Sequence, residues 1–189
     1  ARMAMGLEAH VTILDVSLRR LNELDLQFGS RLSTVYSTID AIEEQVLEAD
    51  LVIGGVLLPG AAAPKLITRK MVEQMKKGSV IVDVAIDQGG CAETSHATTH
   101  DEPTYMVDGV VHYAVANMPG GVARTSTFAL NNATLPFTIA LADQGPEEAM
   151  RRSPHLREGL NIYKHHLTYK AVAEFQHLPY KSAEEVLKV

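Results

Sequence analysis

Asp50-Leu51-Val52-Ile53-Gly54-Gly55-Val56-Leu57 is an apolar run in which no polar residue alternates with the apolar ones. A strand wetted on one face alternates; a strand covered on both faces does not, so this run reads as an inner strand of a parallel sheet. Ser79-Val80-Ile81-Val82-Asp83-Val84-Ala85 is a second run of the same kind. Between them Pro59-Gly60 and Pro64 break the chain, Thr68 caps a helix to about Lys76, and Gly78 stops it. Toward the amino end, His10-Val11-Thr12-Ile13-Leu14-Asp15 is a β-branched strand, followed by helical spacing at Leu18, Leu21, Leu24 and Phe28. Leu32–Tyr36 and residues 38–47 repeat the strand and helix, and residues 110–116 form the last strand. Strands alternating with helices of this length require right-handed crossovers. The expected class is therefore α/β, a doubly wound parallel sheet with helices on both faces.

Beyond Asn117 no strand signal recurs. Residues 125–142 form one long helical segment with Pro136 inside it, where the missing N–H predicts a kink. Shorter helices are predicted near residues 146–151, 169–175 and 183–189. The expected organisation is thus a sheet domain over residues 1–122, then a long helix and helical tail over 123–189. Residues 1–6 read as the end of a helix capped by Gly6 with no start before it, which predicts a fragment of a longer protein.

Composition narrows the function. Of 189 residues 46% are apolar and 21% charged, which supports a buried core and excludes intrinsic disorder. No apolar stretch approaches the roughly 18 to 20 residues of a membrane span. Net charge is −6 and the 17 Lys and Arg are scattered, so nucleic acid is not an expected partner. The single cysteine, Cys91, allows no internal disulfide, and a cytoplasmic location is expected.

In an open parallel sheet, ligands bind beyond the carboxyl ends of the strands. Asp15 ends the first strand, where a carboxylate accepts hydrogen bonds from the ribose of a dinucleotide or, equally well, caps the next helix. Its charge would repel a 2′-phosphate, which favours NAD over NADP. Arg19 and Arg20 lie one turn further on, and Ser37, with Asp40 three residues on, has the form of a capping box. Val56 and Leu57 end an apolar strand. Asp87, in Ile86-Asp87-Gln88-Gly89-Gly90, can act as a base or form an Asx-turn. Cys91 reads as a buried spectator thiol. His96 and His100 lack the glutamate of a zinc-protease motif, and the adjacent His165 and His166 point different ways on any regular element. Thr125, Ser126 or Thr127 is expected to cap the long helix.

Val56-Leu57-Leu58-Pro59-Gly60-Ala61-Ala62-Ala63-Pro64-Lys65, Asp83-Val84-Ala85-Ile86-Asp87-Gln88-Gly89-Gly90-Cys91 and Ala116-Asn117-Met118-Pro119-Gly120, with Thr125-Ser126-Thr127 and Ala129-Leu130-Asn131-Asn132-Ala133-Thr134 beyond, resemble the bacterial alanine dehydrogenases. The resemblance implies a Rossmann-type domain whose first strand and glycine-rich turn precede residue 1. In this reading Asp15 holds the adenosine ribose of NAD, while Arg20 and Ser37 lie by the adenosine. Val56, Leu57, Val84, Ala85, Ile86, Asp87, Val115, Ala116, Asn117 and Met118 line the nicotinamide half, and Asp87 is one of two acid/base groups. The other, a histidine, and the substrate-binding arginine and lysine would lie ahead of residue 1. Where some members place a magnesium-binding histidine this sequence has Gln144, so no metal is expected. The implied reaction is oxidative deamination of L-alanine to pyruvate and ammonia by a homohexamer, with the fragment alone expected to be inactive. The alternative is a catalytically incomplete nucleotide-binding or assembly module related to the first domain of nicotinamide nucleotide transhydrogenase.

Overall fold

The computed structural model describes residues 1–189, which divide into two compact units. The first comprises Ala1–Val56 and Ala63–Ala116, the second Leu57–Ala62 and Asn117–Val189.

The first unit opens with α1 (Arg2–Gly6), β1 (Val11–Asp15), α2 (Leu18–Phe28), β2 (Leu32–Tyr36), α3 (Ile39–Glu48) and β3 (Leu51–Gly54). It continues with α4 (Arg69–Gln74), β4 (Val80–Asp83), β5 (Thr104–Val107) and β6 (Val110–Tyr113). β1 and β2 form a parallel pair with Asp15 opposite Tyr36. The other four strands form a sheet in the order β3-β4-β6-β5, parallel through β6. This is the expected α/β architecture with parallel strands and crossover helices. Three details differ from the sequence reading. β5 pairs antiparallel to β6 through a turn in which Asp108 and Gly109 have φ of 50° and 80°. That is the left-handed pair that an Asp-Gly hairpin turn requires, a signal present in the sequence. Gly6 lies inside α1, which Leu7 terminates, and the cap of α3 is Thr38, not Ser37. Thr38 Oγ1 accepts from Ala41 N–H at 3.1 Å.

The core of this unit lies where α3 and α4 cover the four-stranded sheet, around Val46, Ile67, Met71, Val72, Ile81 and Val110. Thr68 caps α4 as its sequence predicts, accepting from Met71 N–H at 3.2 Å. α2 buries Leu21 and Leu24 and packs on the β1–β2 pair.

The second unit contains α5 (Ala123–Gln144), α6 (Pro146–Arg152), α7 (Pro154–Glu158), β7 (Ile162–Tyr163), β8 (His166–Leu167), α8 (Lys170–Gln176) and α9 (Ala183–Leu187). The β7–β8 hairpin corrects the expectation that no strand recurs there. α5 runs as one element through Pro136 and buries none of its residues. No hydroxyl caps it: Val122 holds the N-cap position, and Ser126 Oγ instead donates to the Pro119 carbonyl at 2.8 Å. No helix is long and apolar enough to cross a membrane.

Ile81 is fully buried in β4, between β3 and β6. Ile81→Ala should lower stability to denaturant by about 2–5 kcal/mol through lost burial and a residual cavity. Ile162→Ala, at a side chain 68% exposed, should stay within about 0.5 kcal/mol.

Candidate active site

Two groups of strand ends carry the predicted residues. At the end of the β1–β2 pair, Ser37 N–H donates to the Asp15 carbonyl at 3.0 Å, so the structure brings these two residues together. Asp15 Oδ1 accepts from Ser17 N–H at 2.8 Å, and Ser17 is the cap of α2. Asp15 therefore supports the helix start indirectly, through one of its two carboxylate oxygens. Arg20 is exposed and pairs with Glu23 at 3.0 Å, an ion pair weak enough at the surface to be exchanged for another partner. Tyr36, opposite Asp15 and half exposed, is an aromatic surface that sequence reasoning missed.

The second group follows β3, β4 and β6. β4 ends at Asp83, and Val84–Gln88 form a 3₁₀ helix that carries Asp87. Val84 and Asp87 are exposed, whereas Ala85 and Ile86 are buried. The short helix thus turns two side chains outward and anchors the other two in the core. Gly89 and Gly90 follow with φ of 91° and 77°, a conformation that favours glycine. A Cβ on Gly90 would lie 2.8 Å from Asp83 Oδ2, so only glycine fits there.

Asp83 is the residue that sequence reasoning passed over. Only 1% exposed, its carboxylate accepts from Cys91 N–H at 2.9 Å and Ala92 N–H at 3.1 Å. From the other side Lys65 Nζ donates to the carbonyls of Gly89 at 2.6 Å, Gly90 at 2.8 Å and Ala92 at 3.3 Å. A buried aspartate at a strand end before a Gly-Gly pair was a signal available in the sequence, but the lysine lies too far away in the chain to be read.

Burial, with Asp83 adding to it, pushes the Cys91 thiol up to about 12, so the group stays protonated and is a poor nucleophile. Val115 is buried and Ala116 exposed after β6, where Ala116 N–H donates to the Thr98 carbonyl at 3.1 Å. Val56 belongs to the first unit, whereas Leu57, Asn117 and Met118 belong to the second. Asn117 has φ of 54°, a left-handed backbone that asparagine tolerates. His165 and His166 are exposed on the β7–β8 hairpin, and the ring of His96 stacks on Tyr105 with centroids 3.7 Å apart.

The family model described as alanine dehydrogenase/PNT, C-terminal domain, matches residues 1–170. The chain belongs to this family. It is 63% identical over 187 residues to an alanine dehydrogenase of Halomonas elongata, covering 99% of this chain and 50% of that protein. It is 57% identical over 190 residues to alanine dehydrogenase 2 of Staphylococcus aureus, covering 100% of this chain and 51% of the relative. The chain thus spans about half the length of the curated relatives it matches. A solved L-alanine dehydrogenase superposes with a TM-score of 0.81 at 52% identity, over 94% of this chain and 49% of that one. A transhydrogenase from Sinorhizobium meliloti matches less closely, with a TM-score of 0.51 at 25% identity over 64% of this chain and 40% of that one. Both groups of strand ends fall within the part matched by the alanine dehydrogenase/PNT family model.

His112 lies in β6, one residue before its end, and is only 1% exposed. Its Nδ1–H donates to the Val110 carbonyl at 3.0 Å, which leaves Nε2 to accept from Thr94 Oγ1–H at 2.7 Å. Burial lowers its pKa from 6.5, with nearby His96 adding to the effect and Asp83 and Asp108 opposing it. The folded state therefore favours the neutral ring, while an unfolded chain takes up the proton as pH falls through 6.5. Stability should be fully present above 6.5 and fall as pH drops from there toward the lowered folded value, by up to about 1.4 kcal/mol per pH unit. Urea midpoints between about pH 7.5 and about pH 5.5 should drop more in the parent than in His112→Gln; equal slopes would refute the assignment.

Proposed function

We propose that the protein carrying this chain is an NAD-dependent L-alanine dehydrogenase, releasing pyruvate and ammonia. The observation that carries the reading is the unbroken likeness of the whole chain to proteins named alanine dehydrogenase. The looser likeness to a transhydrogenase, which leaves a third of the chain unmatched, favours the dehydrogenase over an assembly module.

Asp15 fits the cofactor, since one carboxylate oxygen remains for a ribose hydroxyl beside Ser37 and the exposed ring of Tyr36. Arg20 can swing from Glu23 to the adenosine. Within the first unit, Val56, Val84 and Ala116 would line the nicotinamide half, with the backbone at Ala85, Ile86 and Val115 beside them, where apolar strand ends exclude water and hold the reactants in line. The chemistry that NAD would supply there is that of a hydride acceptor for the α-carbon of alanine. Asp87, exposed on its short helix, takes a proton from the water that adds to the resulting iminium carbon. It returns that proton to the amine, and as ammonia departs the carbinolamine hydroxyl gives its own proton to the Asp87 carboxylate, leaving pyruvate. A cytoplasmic homohexamer is part of the reading. For assembly the support is the apolar surface left uncovered on α5, including Phe128, Leu130, Phe137 and Ile139, which further protein of the same chain or of another subunit would cover.

Asp87→Asn in the full-length enzyme should lower kcat by roughly 10²-fold or more, with little change in NAD affinity or melting temperature. Near-normal turnover would refute the role. Asp15 should hold kcat/KM for NAD at least roughly tenfold above that for NADP, and Asp15→Ser should narrow the gap. Equal use of both cofactors by the parent enzyme would remove the case for Asp15.

A further inference from the structure

The turn over residues 89–92 joins Asp87 to the rest of the fold. Its polar groups are held from two opposite sides. The Asp83 carboxylate takes the amides of Cys91 and Ala92, and Lys65 Nζ takes the carbonyls of Gly89, Gly90 and Ala92. An ammonium group has three hydrogens, and here each meets one carbonyl. The consecutive positive φ values of Gly89 and Gly90 give this turn its shape, with their carbonyls converging on a single cation.

Backbone bonds bring Lys65 to the turn. Ala63 N–H donates to the Gln88 carbonyl at 2.9 Å, Leu66 N–H to the Cys91 carbonyl at 2.8 Å, and Glu93 N–H to the Ile67 carbonyl at 2.9 Å. Two segments some two dozen residues apart in sequence are thus laced together on either side of the lysine. The side chain itself is largely exposed, so hydrophobic burial does not explain its placement. What it contributes is the triple bond to the carbonyls.

We infer that Lys65 is a positioning residue: its ammonium group ties the carbonyls of Gly89, Gly90 and Ala92 together and so holds the neighbouring Asp87 carboxylate in its working orientation. The inference rests on the reading of Asp87 as the acid/base group. Asp83 performs the matching task from within the core, but its replacement would expose unpaired buried amides and endanger folding. Lys65 is the residue to test.

The experiment compares Lys65→Met, which keeps the aliphatic stem but removes every donor, with Lys65→Arg in the full-length enzyme. Amide hydrogen exchange requires neither cofactor nor turnover. Lys65→Met should speed exchange at Gly89, Gly90, Cys91 and Ala92 by roughly tenfold or more, while amides within β4 keep their rates. Its kcat should fall by roughly tenfold to a hundredfold with KM for NAD nearly unchanged, and Lys65→Arg should recover part of the loss. Combined with Asp87→Asn, Lys65→Met should cause little further loss, because both act through one carboxylate. Additive losses would overturn the inference, as would a raised KM for NAD at intact kcat, which would make the lysine a cofactor ligand. Unchanged exchange would also overturn it. Normal turnover in Asp87→Asn would strike at the functional reading alone, and exchange in Lys65→Met would still decide whether the lysine holds the turn.

Discussion

A carboxylate almost wholly withdrawn from water must be answered by donors, because an unpaired buried charge costs several kcal/mol. Asp83 meets that requirement with two backbone amides from residues eight and nine positions further along. For those amides to reach it, the chain must pass through the short helix over Val84–Gln88 and double back within four residues. Gly90 is required because the carboxylate lies against its α-carbon, and Gly54 because a Cβ there would collide with the Cys91 sulfur. One buried ion thereby fixes the end of β4, the turn beyond it and the close approach of β3. Lys65 bonds to the outer face of the same turn.

This arrangement explains why the groups that look reactive in a list of residue types are unavailable for chemistry. The Cys91 thiol is protonated because it is buried beside Asp83. Burial favours the neutral form of His112, against the opposing pull of its hydrogen bond to the Val110 carbonyl, and both its ring nitrogens are engaged, by Val110 and Thr94. The hydroxyl of Tyr105, whose ring stacks between His96 and His112, donates to the Thr94 carbonyl at 3.0 Å and accepts from His96 N–H at 2.9 Å. These groups consolidate the wall beneath the strand ends, and what remains exposed at the edge is carboxylate and apolar surface.

Much of this was legible in the sequence. The unbroken apolar run around Ile81 declared an inner strand, as β4 is, and the strand ends led directly to Asp15 and Asp87; the run around Ile53 read the same way, but β3 is the edge of its sheet and leaves Leu51 and Ile53 exposed. Legibility failed where contacts join distant residues or where small local preferences compete. Ser37 and Thr38 are adjacent and chemically similar, and Thr38 is the cap because the helix begins at Ile39, which brings Thr38 Oγ1 within reach of Ala41 N–H. The hydroxyls near the start of α5 looked like caps, but the helix begins at Ala123, ahead of all three. The β7–β8 hairpin has only two residues in each strand, too few for alternation to show. Lys65 is invisible to pattern reading because a lysine among Ala, Pro and Leu carries no sign of the carbonyls it will meet.

Asp83 and Asp87 are identical in chemistry and lie one turn apart, yet the fold gives them opposite tasks. Asp83 ends a strand whose side chains alternate between the two faces of the sheet, and its carboxylate is directed inward to amides that leave it no room for a ligand. Four residues later the 3₁₀ helix has rotated the chain so that Ala85 and Ile86 occupy the core and Asp87 faces outward. The proton transfer proposed for Asp87 would require a group that reaches its substrate yet stays fixed against the strand, and a single exposed aspartate on a free loop satisfies only the first condition. The buried aspartate supplies the second. The spacing Asp-x-x-x-Asp-x-Gly-Gly therefore encodes an anchor, a rotation and an exposed carboxylate in eight residues, and neither carboxylate can be moved by one position without exchanging core for solvent.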